Sequence, residues 1–507
     1  MPALTSVARR PRRIRKRTIF AVFCGLVVLA GLAGFLYLGW ATSRQLRNAM
    51  AEADRLDPGW RFPELEAKRA VIPDAENSAL QVGKVLTLMP AVWPPIMRRA
   101  NPTDPGSVEF EADLLTRIGE IPPNVRLGEP LAAELRQALA AYPEAIAQAR
   151  KLAEMPRGRF QVVRAANPML TLLPHLQAVR DVARFIQTDA ILRAHDGDID
   201  GALESCRAIL NVGRSIGDEP SVISQIVRIA IPSVSMNTAQ RVLAQGQASE
   251  AALAKFQARL VEESRHSFLL AALRGERASN HELMTKLTIG ELNVASINKA
   301  MGTGLPTMPI PGSGAFFQYN HALILNHLNH GVELGKLPDE QQLDGFKAWE
   351  EEFTAPMGNG FIKTIRMLNY LLMPAIAAVG NAQLRLRGTL ASHIALIASE
   401  RHRLAHGTPP VSMDKIDPKF AVGIFDDPYL GRPVRFRIEA GRINIYSVGP
   451  DRQDNGGTFD PRSRPIAGTD QGWTWWLPPS RRLPPTDELP RDVFQKMPPG
   501  DQTEPLP

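Results

Sequence analysis

The residues with most chemical promise are three histidines and three asparagines crowded between Asn320 and His330. If that stretch is helical, His327 and His330 stand three apart and Glu333 follows three later. One helix face would then present imidazole, imidazole and carboxylate, a donor set that suits zinc. His321 lies off that face, and no H-E-x-x-H occurs. The same residues also read as the polar face of an interface helix, which needs no metal. His402 and His406 raise the question again at i, i+4 spacing, but the end of a helix favours positive charge and that accounts for them. A third group, Arg274, Glu276, Arg277, His281 and Glu282, offers an acid and a base, or simply solvated ion pairs. No G-x-S-x-G, P-loop or strand-linked G-x-G-x-x-G accompanies these residues. They allow a metal-assisted hydrolase and do not establish a catalytic assignment.

The chain that must position them has 507 residues, 44% of them hydrophobic and 22% charged, which is ordinary globular composition and long enough for more than one core. Lys and Arg number 59 against 52 Asp and Glu, and the whole excess comes from Arg9, Arg10, Arg12, Arg13, Arg15, Lys16 and Arg17. The remainder has no charge bias, so nothing points to a nucleic-acid partner. Cys24 and Cys206 are the two cysteines, one inside an apolar run and one far from it, so no intramolecular disulfide is expected.

Behind the basic cluster runs Thr18 to Trp40, 23 residues without a charge. At about 1.5 Å per residue such a helix crosses a hydrocarbon core of about 30 Å. Tyr37 and Trp40 close it where aromatic rings favour the interface, and the preceding cations place the N-terminus in the cytoplasm. A cleaved signal peptide would have a shorter apolar core and an A-x-A-like site, which Ala41-Thr42-Ser43 does not match. The expectation is a single-pass inner-membrane protein whose mass lies on the periplasmic or extracytoplasmic side, with lipid around residues 18–40.

The expected fold is mainly α: an N-terminal transmembrane helix, a multi-helix ectodomain, a small C-terminal β-hairpin or meander module and a Pro-rich tail. Apolar stripes such as Leu131, Leu135, Leu139 and Leu253, Phe256, Leu260, Val261 mark helices. His175 to His195 and Ile199 to Ser215 form a helical hairpin around Asp196-Gly197-Asp198; it looks like a tetratricopeptide unit, but no repeat of that period follows. Two alternating runs, Val434 to Ile438 and Arg442 to Val448, flank the turn residues Glu439-Ala440-Gly441. The last segment holds eleven prolines and Trp473, Trp475 and Trp476, and reads as mostly irregular with the Trp cluster docked. The expected divisions are a basic tail 1–17, the span 18–40, a helical ectodomain 41–300, a flexible loop 301–315, a helical region 316–406, the β module 407–460 and the tail 461–507.

One stretch resembles a known family. His406-Gly407-Thr408-Pro409, then Asp427-Pro428-Tyr429-Leu430-Gly431-Arg432-Pro433, then Tyr446-Ser447-Val448-Gly449-Pro450-Asp451 through Gly456-Gly457 are similar to the C-terminal region of the major pseudopilins of type II secretion. That resemblance implies a loop that holds calcium through Asp451, Asp454 and Asp460, oxygen donors that suit the ion; the residues themselves also read as a polar turn. It does not carry over to filament assembly, because the anchor lacks the glutamate of a pseudopilin's assembly helix and lies far ahead of the hairpin. As a whole, the chain resembles an uncharacterised family of bacterial membrane-anchored helical proteins through Ile72 to Ala79, Ile223 to Ile231 and Gly275 to Ala278. No activity comes with that family. The expected role is a structural or protein-interaction component of the envelope with a protein partner, or an accessory of a secretion or pilus-like system.

Overall fold

The computed structural model describes residues 16–94, 98–101, 104–110, 113–302, 313–354, 366–372, 376–423, 425–458 and 468–485. The fold is mainly helical, with an apolar N-terminal helix and a small antiparallel sheet near the C-terminus. Helix α1 (Lys16–Leu56) is followed by α2 (Phe62–Lys68) and α3 (Ser78–Leu88). A two-stranded ribbon, β1 (Arg98–Asn101) and β2 (Asp104–Phe110), interrupts the helices where the sequence reading expected only helices and loops. Then come α4 (Leu114–Gly119), α5 (Glu129–Ala140), α6 (Pro143–Lys151), α7 (His175–Asp196), α8 (Ile199–Arg214), α9 (Val222–Gln245), α10 (Glu250–Ser264), α11 (Phe268–Ile289) and α12 (Val294–Met301). After them stand α13 (Ser313–Leu334), α14 (Asp339–Thr354), α15 (Met367–Leu372) and α16 (Ile376–His406). Most of the expected flexible loop, 303–312, lies outside the described residues.

Local rules account for many boundaries. The Asn77, Asp198, Ser221 and Ser249 side chains each accept a backbone N–H in the first turn of the helix they precede. The expected hairpin is α7 with α8. The stripes Leu131, Leu135, Leu139 and Leu253, Phe256, Leu260, Val261 are buried throughout. Gly275 is where α11 meets the Pro220 backbone, and a Cβ there would collide with the Pro220 carbonyl.

The C-terminal sheet is larger than the sequence suggests. Strands β3 (Asp426–Asp427) and β4 (Arg432–Pro433) form a short ladder, and β5 (Arg435–Glu439) pairs with β6 (Arg442–Ser447) as the alternation predicts. The Trp cluster is β7 (Gln471–Trp476), antiparallel to β6 with Ile445 opposite Trp473 and Ile443 opposite Trp475. Trp473 and Trp475 point into the core while Thr474 and Trp476 alternate outward. Proline density around this segment hid an ordinary period-two pattern. Beyond it, residues 482–483 bond to Ala244 and Asn124, so this part of the expected irregular tail is strapped across the body.

Among the described residues, one helix, α1, is long and apolar enough to cross a membrane. Its apolar side chains are uncovered on every face, Ile19 57% and Leu36 62% exposed. A helix apolar all round with nothing packed on its first turns has the length and composition of a membrane span.

Candidate functional site

Helix α1 does not stop at the end of its apolar run. It continues to Leu56, and its last four turns lie alongside α13, where Ala49 and Ala53 meet Ala322 and Leu325. These small residues let the two backbones come close. The Thr42 and Ser43 hydroxyls donate to the Gln318 amide oxygen at 3.2 and 2.8 Å. Asn329 Nδ2 donates to the Ala49 carbonyl at 3.1 Å, and Lys336 Nζ donates to the Leu56 carbonyl at 3.0 Å, a cation at a helix C-terminus.

The junction closes on Asp57. Arg274 donates to both of its oxygens, 2.6 and 2.9 Å, and the fully buried Arg277 donates to it as well while reaching Asn329 Oδ1 at 3.1 Å. Burial works to raise the Asp57 carboxyl, but the two guanidinium groups outweigh it and hold the group below its ordinary range. Trp60, fully buried, donates its indole N–H to Asp54 at 2.9 Å and lies edge-on to His281. His281 Nδ1 and His321 Nε2 are 2.9 Å apart, two imidazoles sharing one proton, and burial pushes them down to about 4 and about 3. Within the stretch from Arg274 to Glu282, Arg274 and Arg277 therefore meet the end of α1, while the part-exposed Glu282 pairs with Arg164 and Lys286. Glu276, pushed up to about 7 by burial, bonds to Asn280 Nδ2 at 2.8 Å. The expected part-solvated i, i+4 ion pair is present at Glu282 and Lys286, and Arg274 and Arg277 add a fastener that the spacing did not indicate.

The expected zinc donors do not converge. His327 stacks flat on Trp349, with ring centroids 4.0 Å apart; His330 faces Glu352 at 3.7 Å; Glu333 binds Lys336. Among the described residues, no three His, Cys, Asp or Glu side chains are grouped to hold a metal. The geometric requirement for a zinc-assisted hydrolase at His327, His330 and Glu333 is not met, because the i, i+3 spacing set the face correctly but each side chain took a nearer partner. His402 accepts the Asp417 N–H and His406 bonds to the Asp417 carboxylate at 2.9 Å, so this pair ties the end of α16 to the loop after it.

The residues implied for calcium are likewise engaged. Asp451 accepts the Gln453 N–H; Asp454 accepts the Tyr446 hydroxyl at 3.0 Å and the Gly456 N–H at 2.9 Å and pairs with Arg435. These are the bonds of a polar turn. Asp460 lies outside the described residues. Asp427, almost fully buried, accepts from the Tyr429 N–H, the Ser447 hydroxyl and the Val448 N–H at 2.8 to 2.9 Å. That one carboxylate ties the Asp427–Pro433 step to the Tyr446–Gly449 step, so two of the pseudopilin-like stretches form a single structural unit.

Two further polar centres escaped the sequence reading. Glu400, buried on α16, accepts from Arg403 and from Arg481, each at 2.9 Å, and from the Trp475 indole at 3.0 Å. Burial works to raise it, but the two arginines bring it down to about 2. The other is Glu219, which accepts the Ser224 hydroxyl and lies 3.0 Å from His175 Nε2. Ser, His and Glu are the residue types of a nucleophilic triad, but the carboxylate sits between the other two, so this imidazole is not placed to deprotonate Ser224. Residues from the three stretches of the whole-chain resemblance line this region: Ser224 donates to Glu219, Gly275 backs onto Pro220, and Ser78 meets Gly158, which in turn abuts Ser215 and Gly217. Neither centre has a local spacing that would announce it. Comparison with protein-family models, with curated proteins and with solved structures gives no match for this chain.

Proposed function

We propose that the protein is a non-catalytic envelope component, anchored once in the inner membrane with its N-terminus in the cytoplasm, that holds a binding surface at a fixed height and orientation above the bilayer. The observation that carries this reading is the continuity of α1 from its apolar run into the Asp57–Arg274–Arg277 fastener. A tethered enzyme tolerates a loose stalk; a spacer or docking platform needs a stiff one. The seven cations ahead of the span support the orientation, and the engaged partners of His327, His330 and Glu333 leave the hydrolase reading without a centre. The surface that meets a protein partner is the C-terminal module, whose resemblance to the pseudopilins makes a component of a secretion apparatus the partner class. Membership of the uncharacterised membrane-anchored family belongs to the same proposal.

Mild cross-linking of the tagged full chain in membranes, solubilisation and mass spectrometry of co-purifying proteins and metals tests it. A stoichiometric partner cross-linked through residues 426–476, without bound metal, is the expected result. A lone protein that retains zinc or calcium after chelator-free purification would overturn it.

A further inference from the structure

The packing of α1, α11 and α13 sets the height of the body above the membrane. Helices α1 and α13 run in the same direction, because Thr42 meets Gln318, Ala49 meets Asn329 and Leu56 meets Lys336. Helix α11 runs the other way along α13, since Arg277 meets Asn329 while His281 meets His321. Past His281, α11 continues eight residues toward the lipid, about 12 Å at 1.5 Å per residue, and ends at Ile289. By the same spacing, the first turns of α13 and the end of α11 both come level with the Tyr37–Trp40 turn of the anchor. The body thus reaches down beside the span and does not stand clear of it.

What it carries at that level is apolar. Ile289 is 62% exposed at the tip of α11. Leu170, 45% exposed, sits in a short helical turn, Pro168–Leu170, that packs against α11 and α12. Phe316, half-buried, opens α13. Helix α13 carries no Asp, Glu, Lys or Arg from its first residue, Ser313, until Glu333 in its last turn. The charges at this end include Lys286 on α11, Lys299 on α12, Glu291 between them and Arg44 over the Trp40 ring, groups that a headgroup layer accommodates. Lys286 is also held back, donating to the Ala166 carbonyl at 2.7 Å and to Glu282 at 2.8 Å.

We infer that this end of the body is a second lipid contact: Leu170, Ile289 and Phe316 enter the interface of the outer leaflet beside the anchor, so that the protein stands on the membrane at two places. The occupant is lipid, because by the helix spacing the rim lies at the depth of Trp40, where the apolar side chains of α1 are themselves uncovered. Two contacts remove the freedom of a single helix to tilt and rotate. The inference rests on the membrane-anchor reading, and its test separates the two.

The full-length chain carrying Cys24→Ala, with Cys206 fully buried, accepts single reporter cysteines at Ile289, Leu170, Leu36 and Ile438. Each is labelled with an environment-sensitive fluorophore and reconstituted in phosphatidylethanolamine and phosphatidylglycerol vesicles doped with phosphatidylcholine brominated near the headgroup end of its chains. The expected result is blue-shifted emission and loss of intensity to bromine at positions 289 and 170, as at position 36, and none at position 438 on the C-terminal sheet. Quenching at position 36 alone overturns the second contact and leaves the anchor standing. Quenching at no position overturns both. Quenching at position 438 as well reports collapse of the body onto lipid and also overturns the proposal.

Discussion

Two buried carboxylates, Asp57 and Glu400, are each gripped by two arginines and do opposite jobs. Asp57 follows the last turn of α1 and is met by residues 217 and 220 positions later, so it fastens the far end of that helix to the body. Glu400 sits in the middle of the body and is met by Trp475 on β7 and by Arg481 just after it, so it fastens the C-terminal segment of the sheet to α16. Asp57 is partly open to water and its neighbour Arg274 is a third exposed, whereas the Glu400 and Arg481 side chains are almost wholly enclosed. The difference shows where stability and orientation are each controlled. Losing the Glu400 centre undermines the fold, while losing the Asp57 centre frees the anchor.

The largest expected effect is therefore at Glu400. Replacement by Ala leaves the buried Arg481 guanidinium without its carboxylate and the Trp475 N–H without its acceptor, and breaking such a pair costs about 3–5 kcal/mol. Chemical unfolding of the detergent-solubilised protein reads this, and the C-terminal strand should become protease-sensitive first. Gly275→Ala forces α11 off the Pro220 backbone, an overpacking strain of about 2 kcal/mol visible in the same assay. Asp57→Asn removes a charge but leaves most of the body intact, and about 1–2 kcal/mol is expected, with the loss confined to the junction. Smallest is His327→Ala, about 1 kcal/mol through its stack on Trp349; a loss of bound metal would contradict the placement of that ring.

Acid sensitivity sharpens the contrast. His321 and His393 are buried, and burial pushes both down to about 3 from an unfolded value near 6.5. Between those values the unfolded chain binds protons that the folded chain refuses, so stability falls as the pH drops, each group adding at most about 1.4 kcal/mol per pH unit. Glu400 loses its contribution only as the pH falls from about 4.5 through about 2. Unfolding at pH 7 and pH 5 should differ by more than one proton's slope, and His393→Phe should flatten it. A pH-independent midpoint would contradict the burial of these rings.

The span, the α7–α8 hairpin and the β5–β6 hairpin were legible because each writes its period or turn locally. The fasteners were not, since Asp57 and Arg277, or Glu400 and Arg481, are brought together only by the tertiary fold. The zinc reading failed for the complementary reason: spacing on one helix fixes a face, while Trp349, Glu352 and Lys336 decide what each side chain touches. Strand β7 was readable in the Gly472 to Trp476 alternation but was masked by the prolines around it.

The central claim is that the anchor is stiffly joined to the body, and hydrogen exchange of the amides of residues 42–56 in the bilayer-reconstituted full chain tests it most directly. Protection comparable to that of α8, lost on Asp57→Asn, is the predicted result. Rapid exchange across 42–56 in the unaltered protein would contradict the account and leave the body on a loose tether.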